Sequence, residues 1–501
     1  MSQFAVPWRD KGPLPLNTVG RLTVRIAILV YTLARPVLSR FAGFILLSAM
    51  FASVLLAWAV YGLFGYVENA VRDAPGTVAD FQAALERSSV PLASVLAYPL
   101  WTLQYPIVRD VIALCGVFAI ILLIPMFAIW WERKVAGRIQ SRCGPMRVGG
   151  WHGWAQSMAD GLKLVCKEDL VPSDADRALF LVAPYLAFVP AVLAFVALPF
   201  GTYWVFRNLD VGLVFVLAML EVEVVGVIVA GWASNSKWSL YGAMREACQM
   251  VSYEIPMGLA LLIPIMCVGS LSLTVAGDAQ SGGWHTWLAF RNPFTFVAFV
   301  TYYIAALASC KRAPFDLPES ESELVAGFHT EYSGWRWCLF FFAEYAAMFV
   351  VCGLATAMFL GAWHSPLPAS WAPKSDAIWA GAIRGAMFGG PVWFIAKCLF
   401  LLYVQLWLRW TLPRIRIDQV LHACIHTLLP LTMLLLLGNT VWEVLVGPGD
   451  VLFVVVNVLM SIVGAVFVLG FVAIAAYGWW NRRRLVQPRG WKYAVDLLKG
   501  S

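Results

Sequence analysis

Five carboxylates, Asp316, Glu319, Glu321, Glu323 and Glu331, lie within the 26 residues from Lys311 to Arg336. Five more ionisable side chains, Glu221, Glu223, Glu254, Glu344 and Lys397, interrupt long apolar runs. An ionisable group within a membrane span costs about 2.5–3.5 kcal/mol on insertion scales, so each must face protein or water. Desolvation raises the pKa of such a carboxyl and a nearby cation lowers it, which can poise it to exchange protons near neutral pH. That is the chemistry of a proton relay. The plainer reading is a set of buried hydrogen-bonding groups and ion pairs that hold helices together. With helices entering at Met250 and Trp337, Glu254 and Glu344 fall roughly 6 and 10 Å along their spans, and Glu221, Glu223 and Lys397 fall near the middle, as a staircase would. Glu221 and Glu223, two apart, point to different helix faces.

The acidic stretch has its own logic. Pro318 suits a first helical turn, Glu319 and Glu321 suit its positive end, and Glu319 and Glu323 share a face. Like charges on one face need cations to answer them, and the nearest supply in the sequence is Arg133, Arg138, Arg142 and Arg147. Phe315, Leu317, Leu324 and Val325 are poor choices for a freely solvated strip.

These groups must be positioned by helices. The chain has 501 residues, is 61% hydrophobic and 13% charged, and has a mean hydropathy of +0.74. Repeated apolar runs of this kind satisfy their backbone in lipid only as helices, so the expected fold is an all-α polytopic transmembrane bundle. Ten spans are expected, at about Phe41–Val67, Val111–Trp131, Ala178–Phe200, Val211–Ala233, Met250–Leu271, Phe294–Ser309, Trp337–Ala362, Pro391–Leu408, Leu421–Val446 and Val451–Trp480. The implied organisation is a basic segment 1–40, an extra span 41–67, a connection 68–110, a core 111–446, an extra span 447–480 and a basic tail 481–501. Connections on one side of this topology, including 234–249, hold 28 of the 36 Lys and Arg, and those on the other hold 7. The positive-inside rule then puts both termini in the cytoplasm. The net charge of +7 is thereby explained without nucleic acid.

Residues 21–35 suit a helix lying on the membrane surface, as do Trp154, Met158, Leu162 and Val165 at helical spacing. The run at Phe41 is too long for a signal peptide. Ten Cys and six His show no C-x-x-C pair and no metal-ligand spacing, and no Gly-rich nucleotide motif is present.

The stretches ERKVAGRIQSRCGPMRVG, ADGLKLVCKED, GWASNSKWSLYGAMREACQMVSYE, RAPFDLPESESELVAGFHTEYSG and WLRWTLPRIRIDQ closely resemble the H subunit of NADH-quinone oxidoreductase, the bacterial counterpart of subunit 1 of mitochondrial complex I. The resemblance runs in order from about Val111 to Val446. It implies a bacterial inner-membrane subunit that couples quinone reduction to proton pumping and lines a tunnel through which quinone enters. It also implies cluster-bearing hydrophilic partners and antiporter-like membrane partners. Quinone would be the substrate, this chain alone would bind no cofactor, and NADH, FMN and iron–sulfur clusters would belong to the partners.

On this chain the resemblance marks Glu132, Arg133, Arg138, Arg142 and Arg147 as tunnel-lining, and Arg312, Asp316, Glu319, Glu321, Glu323, Glu331 and Tyr332 as the coupling loop. Glu254 and Glu344 match carboxylates of the proton path, and Arg409, Arg414, Arg416 and Asp418 match a basic stretch. Six positions depart from the family pattern, among them Glu221 and Glu223, which fall where small uncharged residues are more usual. Ser309 stands where an acid is usual and Lys311 where Asn is usual, so a carboxylate of the neighbouring helix, Glu221 or Glu223, is expected to replace the lost one. Met146 replaces an Asn, and His426 stands where Lys is common. The alternatives are a related membrane subunit of a hydrogenase or other-donor quinone reductase and, in a different class, a stand-alone cation/proton antiporter.

Overall fold

The computed structural model describes residues 106–149, 151–201, 205–366, 390–446 and 451–480. Ten helices carry the architecture. They are α1 (Pro106–Ile139), α2 (Gln156–Val165), α3 (Arg177–Ala197), α4 (Gly212–Ala233), α5 (Lys237–Val268), α6 (Pro293–Ser309), α7 (Gly334–Phe359), α8 (Pro391–Thr411), α9 (Ile417–Leu445) and α10 (Val451–Trp480). No β-strand occurs among the described residues.

Six of these, α3, α4, α5, α7, α8 and α9, are long and apolar enough to cross a membrane. The protein is a polytopic helical membrane protein. Helices α1, α6 and α10 fall on three more of the expected spans. The span expected at Phe41–Val67, the basic segment before it and the tail 481–501 lie outside the described residues.

Local chemistry sets the helix ends. Asp176 accepts hydrogen bonds from the backbone N–H groups of Ala178 and Leu179 at the start of α3, satisfying donors that a helix leaves open. Asn292 and Thr295 form a capping box ahead of α6, with Pro293 in its first turn. At the other end of α5, Gly269 takes a left-handed conformation (φ 77°), as helix C-termini favour.

Helix α7 is the centre of the bundle, packed against α1, α3, α6 and α8, and every residue from Ala343 to Phe359 is buried. It therefore reads as apolar on every side. Small residues bring other helices close. A Cβ on Gly226 of α4 would stand 2.4 Å from the backbone nitrogen of Ala187 on α3, so glycine there sets the approach of the two backbones.

Two expectations about helix boundaries change. Residues 234–249 are not a connection: α5 begins at Lys237 and runs for 32 residues, about 48 Å at 1.5 Å per residue, well beyond a hydrocarbon core of roughly 30 Å. Glu254 lies about 26 Å from the start of this helix. In the acidic stretch, the helical turn is Glu321–Leu324, with Ser320 at its N-cap, three residues later than Pro318 suggests.

The acidic stretch itself turns inward. Helix α6 has only 17 residues, about 25 Å, so the chain leaves it while still among its neighbours. Lys311, Arg312, Phe315, Leu317, Leu324, Phe328 and His329 are all buried, whereas Val325 is exposed. Gly327 makes this path possible: at φ 55° a Cβ would lie 1.8 Å from the carbonyl oxygen of Pro318. Helix α2 forms where the spacing predicts a surface helix, with Leu162 and Val165 exposed.

Candidate functional site

The inward loop brings two consecutive cations, Lys311 and Arg312, into the middle of the bundle. Arg312 Nε lies 2.5 Å from Glu344 Oε1 on α7, and its Nη1 lies 3.7 Å from Glu132 Oε2 on α1. Glu132 also pairs with Arg409 of α8 at 2.5 Å and accepts a hydrogen bond from the hydroxyl of Tyr345. The Tyr345 ring packs under the Arg312 guanidinium, 4.4 Å from its centroid, a cation–π arrangement. Lys311 Nζ lies 2.5 Å from Glu246 Oε1 on α5 and donates to Glu223 Oε1 on α4 at 3.2 Å. Four helices thus deliver carboxylates to two neighbouring loop residues.

A small cavity joins these pairs, lined by Glu223, Lys311, Glu319, His329 and Glu344 among apolar residues. It has about 10 Å³ of space for the centre of a water-sized sphere, near the lower limit for one water. On the loop side of it, His329 Nε2 lies 2.6 Å from Glu319 Oε1. Further out, Asp316 accepts from Arg414 at 3.0 Å, Ser320 accepts from Arg414 at 2.7 Å, and Glu323 pairs with Arg245 at 2.5 Å.

The loop groups titrate according to these partners. Burial acts most strongly on Glu319 and raises its pKa, but His329, Arg312 and Lys311 together outweigh it and hold the carboxyl down at about 2. Burial and then the charge of Glu319 push Asp316 up, with Arg414 opposing. Burial pulls Lys311 down, and the carboxylates Glu246, Glu223 and Glu344 more than reverse that. Arg312 is likewise held charged despite burial, chiefly by Glu344. The site keeps its cations charged and distributes its acids between ionised and protonatable forms.

A family model described as NADH dehydrogenase matches residues 112–440. The H subunit of NADH-quinone oxidoreductase from Chlorobium luteolum is 42% identical over 374 residues, covering 72% of this chain and 99% of the relative. The chain belongs to the family of NADH-quinone oxidoreductase H subunits. Relatives of the same description from Chlorobaculum parvum and Anaeromyxobacter dehalogenans are 43% and 42% identical. They cover 68% and 75% of this chain, and 94% and 90% of their own lengths. The match contains every residue of the network described above.

In this member of the H-type family the expected site residues fall into three places. Glu132, Glu223, Glu344, Arg312, Glu319 and Arg409 meet in the buried network, which Asp316, Glu323 and Arg414 extend toward the loop's outer edge. Arg133, Arg138, Arg142 and Arg147 are exposed at the end of α1 and in the turn after it. Arg133 pairs with Asp160 of α2, and Arg142 donates to Gln140. They do not answer the acidic loop as its charge pattern suggested; Arg245, Arg414 and His329 do. Arg416 and Asp418 are also exposed.

The remainder are elsewhere. Tyr332 stacks on Phe180 with ring centroids 4.1 Å apart and donates to its carbonyl oxygen, so it anchors the loop to α3. Glu331 lines an open groove with Asp174, Asn235 and Lys237. Glu321 opens the short helical turn. Glu221 is exposed and Glu254 half-buried. Lys397 lies six residues after the first residue of α8. Its ammonium donates to the carbonyls of Leu360, Gly361, Ala362 and His364 at 2.6–3.2 Å, capping the far end of α7.

Glu246, His329, Tyr345 and Arg245 complete the network, and the sequence reading missed them. For Glu246 a signal existed: Ser239, Gly242, Ala243, Glu246, Gln249 and Tyr253 recur at helical spacing and are the buried face of α5.

Proposed function

We propose that this chain is the membrane subunit through which an NADH-quinone oxidoreductase couples quinone reduction to proton translocation, in a bacterial inner membrane with both termini cytoplasmic. Its expected partners carry the NADH, FMN and iron–sulfur chemistry, and quinone is the substrate that reaches them along a tunnel this chain helps to form. One observation carries the reading: Arg312 sits between Glu344 on α7 and Glu132 on α1, and Glu132 directly precedes the arginines at the end of α1.

Reduction of a quinone to a quinol takes up two electrons and two protons. Where those protons are drawn from nearby carboxyls, the local charge changes, and ion pairs in a dry site respond strongly because little water screens them. In this chain the response would start at the loop pairs Glu319–His329 and Asp316–Arg414 and reach Glu344 through Arg312. The loop's cations hold the acids in place, and Tyr345 and Arg409 fix Glu132.

The test is to tag the chain, purify it gently from its own membranes and identify its companions by mass spectrometry. NADH:quinone reductase activity blocked by a tunnel inhibitor, with cluster-bearing partners present, is expected. A chain that purifies alone and exchanges cations, or an assembly with no NADH-oxidising partner, would overturn the assignment.

A further inference from the structure

We propose that Glu223, Glu246 and Lys311 form a second proton-holding site beside the Glu344–Arg312 pair, in which two carboxylates share one lysine and one exchangeable proton. The proposal rests on the function proposed above and deepens it. Glu223, Glu246 and Lys311 are 4%, 0% and 7% exposed, and they come from α4, α5 and the inward loop. Lys311 Nζ stands 2.5 Å from Glu246 and 3.2 Å from Glu223, so one ammonium serves both acids.

Charge bookkeeping makes the proton necessary. With all three groups ionised the triad carries a formal charge of −1 in a place closed to solvent, where an uncompensated charge is costly. The charged groups around it are already engaged. Arg312 is paired with Glu344 and Glu132, and Glu319 with His329, so among the described residues no neighbouring cation is left for the second carboxylate. Neither oxygen of Glu246 has a hydrogen-bond partner of acceptable geometry, although Oε1 touches the lysine. A proton on one of the two acids removes the excess charge, and the ammonium keeps the other ionised. The pair then titrates as a unit.

The site is also built to be reached. Glu223 and Lys311 line the same small cavity as Glu319, His329 and Glu344, so a single water there is within reach of the triad and of both neighbouring pairs. Protonation forms one O–H bond on a carboxylate, and release breaks it; no other bond changes. A merely structural ion pair between loop and bundle needs one acid, and here there are two. This is where Lys311 and Glu223 stand in place of the family's usual residues, so the triad is a local variant of the relay.

Infrared difference spectroscopy on the purified complex, titrated with pH in H2O and D2O, tests this. The wild type is expected to show a D2O-sensitive protonated-carboxyl band that disappears as the pH rises, and Glu246→Gln is expected to lose it. In the doubly neutral variant Lys311→Met/Glu246→Gln, Glu223 has no cation and stays protonated, so the band persists but no longer moves with pH. Absence of a titrating band in the wild type, or the same titration in Glu246→Gln or the double variant, would overturn the triad as a proton site. The pH titration needs no NADH or quinone, so it reads the triad even if the purified complex proves to use another donor.

Discussion

Arg312 is the residue whose loss should be felt most widely, because it stands between carboxylates from two helices. Removing one member of a buried ion pair leaves the others uncompensated and costs about 3–5 kcal/mol. Arg312→Gln is therefore expected to lower the melting temperature of the complex and to abolish coupled proton translocation. Arg312→Lys keeps the charge but loses the planar fork and the stacking on Tyr345, so it should recover stability in part while leaving translocation impaired. Equal loss in both variants, by melting curves and proteoliposome acidification, would rule out a role for charge. The Glu319–His329 pair makes a different prediction. A carboxyl held below its ordinary value of about 4.3 contributes stability that is full above that pH and is lost as pH falls through about 2. His329→Gln removes the largest stabilising influence on that carboxylate, so the acid limb of the melting-temperature profile should flatten between about pH 4.5 and 2. At this scale the sequence was legible where acids interrupt apolar runs, as at Glu223 and Glu344. It was missed where a charged residue sits beside polar neighbours and only helical spacing marks the buried face. Glu246 lies in a stretch with Lys237 and Arg245 that looked solvated, and the inward loop packed against α5 buries it.

At the scale of elements, one close contact fixes the loop against α5. A Cβ on Gly242 would stand 2.8 Å from the Cα of Gly327 and 2.9 Å from the backbone nitrogen of Phe328, and backbone cannot yield as a flexible side chain can. Gly242→Ala is expected to displace the loop at a cost of about 1–3 kcal/mol and to open residues 311–336 to limited proteolysis. Gly258 on the same helix supplies the control, since nothing lies within 4 Å of its added Cβ; Gly258→Ala should be neutral or gain up to about 1 kcal/mol. Equal protease resistance in the two variants would show that the Gly242–Gly327 contact does not hold the loop. Hydrophobic runs predicted the helices well because lipid demands them, and nine of the expected spans fall on described helices. They could not predict the loop's course. Its burial follows from the short α6, the left-handed Gly327 and the missing side chain at Gly242, none of which leaves a hydropathy signal.

Across the whole molecule, the charges inside the bundle separate into two places along α7. The network centred on Arg312 meets α7 at Glu344 and Tyr345, while Lys397 caps the carbonyls from Leu360 onward. Sixteen residues, about 24 Å of helix, separate Glu344 from Leu360, and the segment between carries no Asp, Glu, Lys, Arg or His. No carboxylate ladder runs along α7 from the loop to its far end, so a proton path through this chain would have to use side chains of other helices. Lys397 answers carbonyls that the end of α7 leaves open, with its ammonium also 4.4 Å from the Trp287 ring, contacts that fit a structural role. Hydrogen bonds to a charged group contribute about 1.5–3 kcal/mol each in net terms, and partial solvation of the freed carbonyls offsets much of their sum. Lys397→Met should therefore lower the melting temperature of the assembled complex and its yield, while the surviving complex keeps the wild-type pH profile of quinone reduction and the same protons moved per NADH. A shifted profile or a lowered proton yield at unchanged stability would instead place Lys397 in the proton path, with water filling the apolar gap along α7.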